Sequence, residues 1–183
     1  MPVKYVATCL TTEQKQACID LGVDVMEEYA RAYGEIKPGC VTDFSVHCFN
    51  STALEGLKCL GVQRASLHPE LNLAQIRDME KCIDTEVVIY GKIPLMQIGN
   101  PQISGTIIDR TGAKFFVQGD MLYNAVPIFM ADKLTEIEKS GVTHGRLAFT
   151  TENANDVRGI IKAYMYRKML KIEFTRGKFY SKV

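Results

Sequence analysis

Three Gly-Val steps, Gly22-Val23, Gly61-Val62 and Gly141-Val142, each stand where an amphipathic run ends and a β-rich run begins. A glycine just past a helix takes the left-handed conformation at no side-chain cost, and the β-branched residue after it opens a strand. The steps lie 39 and 80 residues apart, close to one and two copies of a single period. That spacing predicts repeated strand-then-helix units. Parallel strands joined by helices form either a closed barrel or an open doubly wound sheet.

The units read in order. Val3 to Leu10 is a strand, and Thr11-Thr12-Glu13-Gln14 is a capping box that starts a helix ending near Leu21. A strand at Val23 to Glu28, a loop through Gly34 and Pro38-Gly39, and a strand at Phe44 to Phe49 follow. Asn50 to Leu60 reads as a short helix, Val62 to Leu67 as a strand, and Asn72 to Cys82 as a helix with Asn72 and Gln75 placed for capping. Glu86 to Tyr90 is a β-branched strand. The rhythm then breaks at Ile107 to Val117, two strands around a turn ending in Gly112, which predicts an inserted β-hairpin over 104–120. Leu122 to Phe129 is a further strand, Ala131 to Ser140 a helix and Arg146 to Phe149 a strand. Thr151 is placed to cap a last helix reaching about Met169, and Ile172 to Tyr180 looks extended.

A complete eight-fold barrel takes about 250 residues, and this chain has 183. The expected fold is therefore α/β, a TIM-barrel-like, incomplete or compressed (β/α) barrel with an inserted hairpin. Residues 1–183 read as one domain and as a fragment of a longer protein. At 46% hydrophobic and 23% charged, a chain of this size builds a full core without disulfides or metal. The net charge of +1 supplies no broad positive field for nucleic acid. No run approaches the roughly 18 apolar residues of a membrane span, and the opening residues lead into a strand instead of a signal peptide. The six cysteines all lie in the first half without a close CxxC pair, so reduced, mostly buried thiols and a cytoplasmic location are expected. The Asn50-Ser51-Thr52 sequon carries no weight in that setting.

At Gly61-Val62-Gln63-Arg64-Ala65-Ser66-Leu67-His68-Pro69-Glu70-Leu71 the wording becomes specific. Tyr90-Gly91-Lys92-Ile93-Pro94-Leu95-Met96, Asp109-Arg110-Thr111-Gly112-Ala113-Lys114-Phe115, Leu122-Tyr123-Asn124-Ala125, Arg146-Leu147-Ala148-Phe149-Thr150 and Thr175-Arg176-Gly177-Lys178-Phe179-Tyr180 follow in order. These six segments, spanning roughly Asp43 to Val183, resemble the motifs of the collagenase-like peptidase family, the thirty-second of the peptidase families of unknown catalytic type. The resemblance implies a bacterial-type, TIM-barrel-like domain classed with the proteases, whose relatives include RNA-modification and cofactor-hydroxylation enzymes with a cysteine-bound iron–sulfur cluster. This chain departs from the pattern where the family places cysteines, since 97–105 contains none. A cluster needs about four converging thiolates, so no cofactor is expected.

In a β/α fold the polar groups converge at the C-terminal ends of the parallel strands. Those ends hold Asn50, His68, Glu70, Lys92, Asn124, Thr150 and Glu152. His68 with Glu70 is the candidate catalytic pair, a carboxylate orienting an imidazole for general-base work; the competing role is a helix cap beside a rim histidine. Cys48 next to His47 cannot pair with it, because adjacent strand residues face opposite sides, though Cys48 could meet His68 from a neighbouring strand. Arg110, Arg146 and Arg176 could grip phosphate or carboxylate, or stitch the hairpin to the barrel through Asp109 or Glu152. Substrate binding is thus assigned to Asn50, Lys92, Arg110, Asn124, Arg146 and Glu152. The expected function is a collagenase-like hydrolase binding a peptide or other polymer at the rim. The alternatives are a noncatalytic binding or scaffold module, or a cluster-less relative of the RNA-modification branch. Expected partners are an unidentified peptide or RNA-related substrate and no membrane, with self-association or contact with a missing domain covering exposed edges.

Overall fold

The computed structural model describes residues 2–99 and 104–181. The chain runs β1 (Lys4–Thr8), α1 (Thr12–Ile19), β2 (Asp24–Val25), β3 (Val41–Thr42), α2 (Ser51–Cys59), β4 (Arg64–Ser66), α3 (Leu73–Asp78) and β5 (Asp84–Gly91). An antiparallel excursion follows, β6 (Pro94–Gln97), β7 (Gly105–Ile108), β8 (Lys114–Gln118) and β9 (Met121–Asn124). The chain then returns through β10 (Ile128–Phe129), α4 (Leu134–Lys139), β11 (His144–Ala148) and α5 (Ala154–Met165).

Six strands pair in parallel in the order β2-β1-β11-β5-β4-β3. An isolated parallel bridge ties Ala30 of the β2–β3 connection to Thr42 of the edge strand β3. The architecture is α/β with a curled parallel sheet, compatible with a compressed β/α barrel. Alternation along the strands separates two environments. Ala65, Leu67, Val87, Ile89 and Leu147 face outward and pack with Leu54, Leu57, Ile76, Ile137, Val157 and Ile161 of the helices. The alternate positions Ser66, Glu86 and Arg146 are buried on the inner face.

Local signals place the helices. Thr11 with Gln14, Asn72 with Gln75 and Asn153 with Asp156 form capping boxes, and Asn50 caps α2 by accepting from the Ala53 amide at 2.9 Å. The cap of α5 is therefore Asn153, two residues beyond the expected Thr151. Tyr164 anchors α5 on the sheet, its hydroxyl donating to the Ile89 carbonyl and accepting from the Met130 amide.

Several expected elements differ. Phe44–Val46 is a 3-10 turn instead of a strand, and His47 in the left-handed region (φ 59°, ψ 49°) turns the chain so that only Cys48 bridges to Leu67. The β2–β3 connection carries no α-helix, only a 3-10 turn at Tyr33–Glu35. The predicted hairpin forms as β7 and β8, its turn fixed by the Asp109 carboxylate accepting from Thr111 and Ala113. It belongs to a larger antiparallel sheet ordered β6-β9-β8-β7. The single strand expected over 122–129 divides into β9 and β10, and β10 pairs antiparallel with β5. α5 ends at Met165, short of Met169, and the tail expected to be extended holds one bridge, Thr175 to Ile128, followed by a turn at 177–180 with Phe179 buried.

Candidate functional site

Two neighbouring cavities open at the C-terminal ends of the parallel strands. The smaller, of about 220 Å³, is lined by Cys9, Lys15, Arg31, Asp43, Lys92, Arg146 and Thr150 among others. The larger, of about 490 Å³, is lined by His68, Glu70, Ile93, Asn124 and Lys178 among others. Phe44 and Pro94 line both, so the two cavities lie side by side against these two side chains. Pro94 with Leu95 from β6 and Tyr123 with Asn124 from β9 form the wall contributed by the antiparallel sheet. A third concavity, of about 740 Å³, runs along the β2–β3 connection where the helix is missing, and it is lined by none of the predicted site residues.

The floor of the smaller cavity is an ion network inside the curled sheet. Arg146 of β11 donates from Nε to Glu86 Oε1 and from Nη1 to Asp43 Oδ1, both at 2.6 Å, and its other terminal nitrogen donates to the Ser66 hydroxyl. The guanidinium lies over the Tyr29 ring, 3.9 Å from its centroid. Glu86, fully buried, also accepts from the Ser66 and Tyr29 hydroxyls, each at 3.1 Å. Arg64 Nε lies 3.1 Å from Glu86 Oε2 but without hydrogen-bond alignment. Burial alone would favour a neutral guanidine, yet Glu86, Tyr29 and Asp43 outweigh it and hold Arg146 charged. Burial likewise pushes the Tyr29 phenol up, keeping it a donor. Arg146 is therefore committed to Glu86, Asp43 and Ser66, and neither Asp109 nor Glu152 holds it.

Above that floor two cations lack a carboxylate partner among the described residues. Lys92 donates to the Thr151 hydroxyl at 2.8 Å and sits 4.5 Å from the Phe116 ring centroid, and burial depresses its pKa while Glu152 opposes the shift. Arg31 is exposed at the cavity edge, and its charge acts on Tyr123 in the opposite wall. Lys15 is paired with Glu27 at 2.7 Å.

In the larger cavity, His68 stacks against Phe49, with centroids 4.2 Å apart, and against His47 at 5.4 Å. Its Nδ1 accepts from the Glu70 backbone amide at 3.4 Å. The Glu70 carboxylate makes no hydrogen bond or ion pair with the ring among the described residues. Burial lowers the His68 pKa, with Glu70 opposing and His47 reinforcing, and an Nδ1 that accepts from a backbone amide leaves Nε2 to carry the proton of the neutral ring. Cys48 meets His68 only through the backbone, and burial raises its thiol to about 11.

The remaining predicted positions fall elsewhere. Asn50 is occupied as a helix cap. Glu152 accepts from the Tyr90 hydroxyl at 2.9 Å and the Thr150 amide at 2.7 Å, bracing the loop ahead of α5. Arg110 is exposed at the hairpin turn and lines neither cavity, while Arg176 pairs with Asp132. Sequence reasoning missed Tyr29, Asp43, Ser66 and Glu86; the available signal was a carboxylate within the apolar run of β5. No group of three or more His, Cys, Asp or Glu among the described residues could hold a metal ion. No helix among them is long and apolar enough to cross a membrane. No protein-family model, curated protein or solved structure matches this chain.

Proposed function

We propose that this chain is a substrate-binding β/α barrel module of the collagenase-like peptidase type, which holds an extended polypeptide across the strand C-termini without cleaving it. The observation that carries this reading is the adjacency of the two cavities, which share Phe44 and Pro94 and are walled on one side by β6 and β9. A groove with two apolar side chains at its centre and the Asn124 amide and unpaired cations beyond them suits alternate side chains and carbonyls of an extended chain. Lys92 and Arg31 favour a segment that carries carboxylates. Binding without hydrolysis follows from the chemistry of the candidates. The Nδ1 of His68 is engaged by a backbone amide, Cys48 is held as a thiol, and each nitrogen of Arg146 donates to Glu86, Asp43 or Ser66.

The test is a titration of labelled denatured collagen against the pure chain by fluorescence anisotropy, with new amino termini measured in the same samples and a single-stranded RNA as competitor. Saturable binding that weakens about tenfold in Lys92→Ala, the loss of roughly one charge-assisted contact, is expected, without release of amino termini. Absence of binding removes the reading, cleavage replaces it with a hydrolase, and displacement by RNA replaces the polypeptide.

A further inference from the structure

We propose that Cys9 and Cys18 form a peroxide-reactive dithiol that closes to an intrachain disulfide at the wall of the smaller cavity. Their sulfurs lie 3.6 Å apart, in hydrogen-bond contact, although nine positions separate them in the chain. Cys9 follows β1, is partly exposed and lines the cavity, whereas Cys18 is fully buried on α1. Forming the bond needs a closure of about 1.5 Å to the usual length of about 2.05 Å. No other pair among the six cysteines is in hydrogen-bond contact in the described residues.

The asymmetry of the pair assigns the roles. The Cys18 thiol hydrogen bond favours the Cys9 thiolate, burial opposes it, and Lys15 adds a positive charge that also favours it. The same hydrogen bond and burial keep Cys18 protonated. A thiolate that is both accessible and stabilised is the group a hydroperoxide meets first. Cys9 sulfur displaces hydroxide from the O–O bond, becoming a sulfenic acid. Cys18 sulfur then attacks that sulfur, the S–S bond forms, and the sulfenic oxygen leaves as water with the Cys18 proton. The peroxide is reduced by two electrons and the dithiol is oxidised by two. A thiol reductant reverses the bond, as expected of a pair in a reducing compartment.

This inference does not depend on what the groove binds. The folded 183-residue chain is treated with stoichiometric hydrogen peroxide, alkylated, digested with trypsin and mapped by mass spectrometry. Cleavage after Lys4, Lys15 and Arg31 puts Cys9 in peptide 5–15 and Cys18 in peptide 16–31. The expected product is that pair of peptides joined and lighter by two hydrogens, with equal loss of both alkylated forms, while exposed Cys59 stays alkylated. Dithiothreitol restores both thiols, and in urea the pairing selectivity disappears. In Cys18→Ala, Cys9 accumulates as a dimedone-trapped sulfenic acid. Cys9 and Cys18 remaining alkylated while Cys59 oxidises, or Cys9 linked to another cysteine, overturns the proposal. Linkage of 9 to 18 with no dimedone adduct in Cys18→Ala overturns the assignment of Cys9 as the attacked thiol. The wild-type map decides the main point even if the variant fails to fold.

Discussion

Replacing Arg146 with Met tests whether the ion network holds the curled sheet together. The substitution keeps much of the side-chain volume but removes the guanidinium from Glu86, Asp43 and Ser66. Asp43, whose side chain is 14% exposed, can rehydrate, whereas Glu86 at 0% cannot. The cost therefore falls on one buried carboxylate left with Arg64 as its nearest cation, and breaking a buried pair of this kind costs roughly 3–5 kcal/mol. The hydroxyls of Tyr29 and Ser66 and the nearby Arg64 argue for the lower half of that range. For a chain of this size a loss in that lower half, roughly 3–4 kcal/mol, corresponds to a fall in Tm of roughly 6–16 °C. Urea unfolding followed by far-ultraviolet circular dichroism measures it, since the chain has no tryptophan. The Arg146→Met, Glu86→Gln double variant should be less destabilised than the sum of the singles by roughly 1–3 kcal/mol, because neither leaves the other buried and unpaired. Arg158→Met, which breaks the exposed pair to Asp20, is the internal standard and should cost no more than about 1 kcal/mol. An Arg146→Met cost as small as that of Arg158→Met, or strict additivity in the cycle, refutes the reasoning.

Two further perturbations probe the sheet and the rim. At Gly91 (φ +129°) an added Cβ would collide with the Ala148 carbonyl oxygen. Gly91→Ala should thus cost about 2–5 kcal/mol from strain and overpacking, against about 1–2 kcal/mol for Gly22→Ala, whose site is open; equal Tm shifts would contradict the close approach of β5 and β11. Burial, aided by His47 and opposed by Glu70, lowers the His68 pKa, and burial with Arg64 lowers that of His144. The unfolded chain then binds these protons more tightly, so the stabilisation present above about pH 6.5 is lost as pH falls toward the depressed native values. His68→Gln should shrink that slope without abolishing it. A ring-proton titration midpoint for His68 above about 6.5 would reverse the sign of its contribution.

What could be read along the chain was what acts within a few residues. Thr11 with Gln14 and Asn72 with Gln75 announce their helices because each satisfies a free backbone donor three positions away. The three Gly-Val steps mark unit ends because Gly22, Gly61 and Gly141 each take a positive φ that only glycine adopts freely. The hairpin was visible for a similar reason, Asp109 folding its own turn around Gly112. Thr151 misled because three potential capping side chains crowd into four residues, and only the packed position of α5 selects Asn153.

Tertiary structure decided what needed distant partners. Arg146 reads as a ligand-binding cation in isolation, and its actual role depends on Glu86, 60 positions away, and Asp43, 103 away. His68 and Glu70 look like a catalytic pair in the sequence, yet backbone geometry brings the Glu70 amide and not its carboxylate to the imidazole. The bridge from Ala30 to Thr42 beside the edge strand β3, and the wall that β6 and β9 add to the cavities, likewise have no local signature. Caps and turns are settled by hydrogen bonds the chain makes with its immediate neighbours. The polar interior and its mouth are settled by which strands lie side by side, and that is fixed only when the helices bury their apolar faces against the sheet.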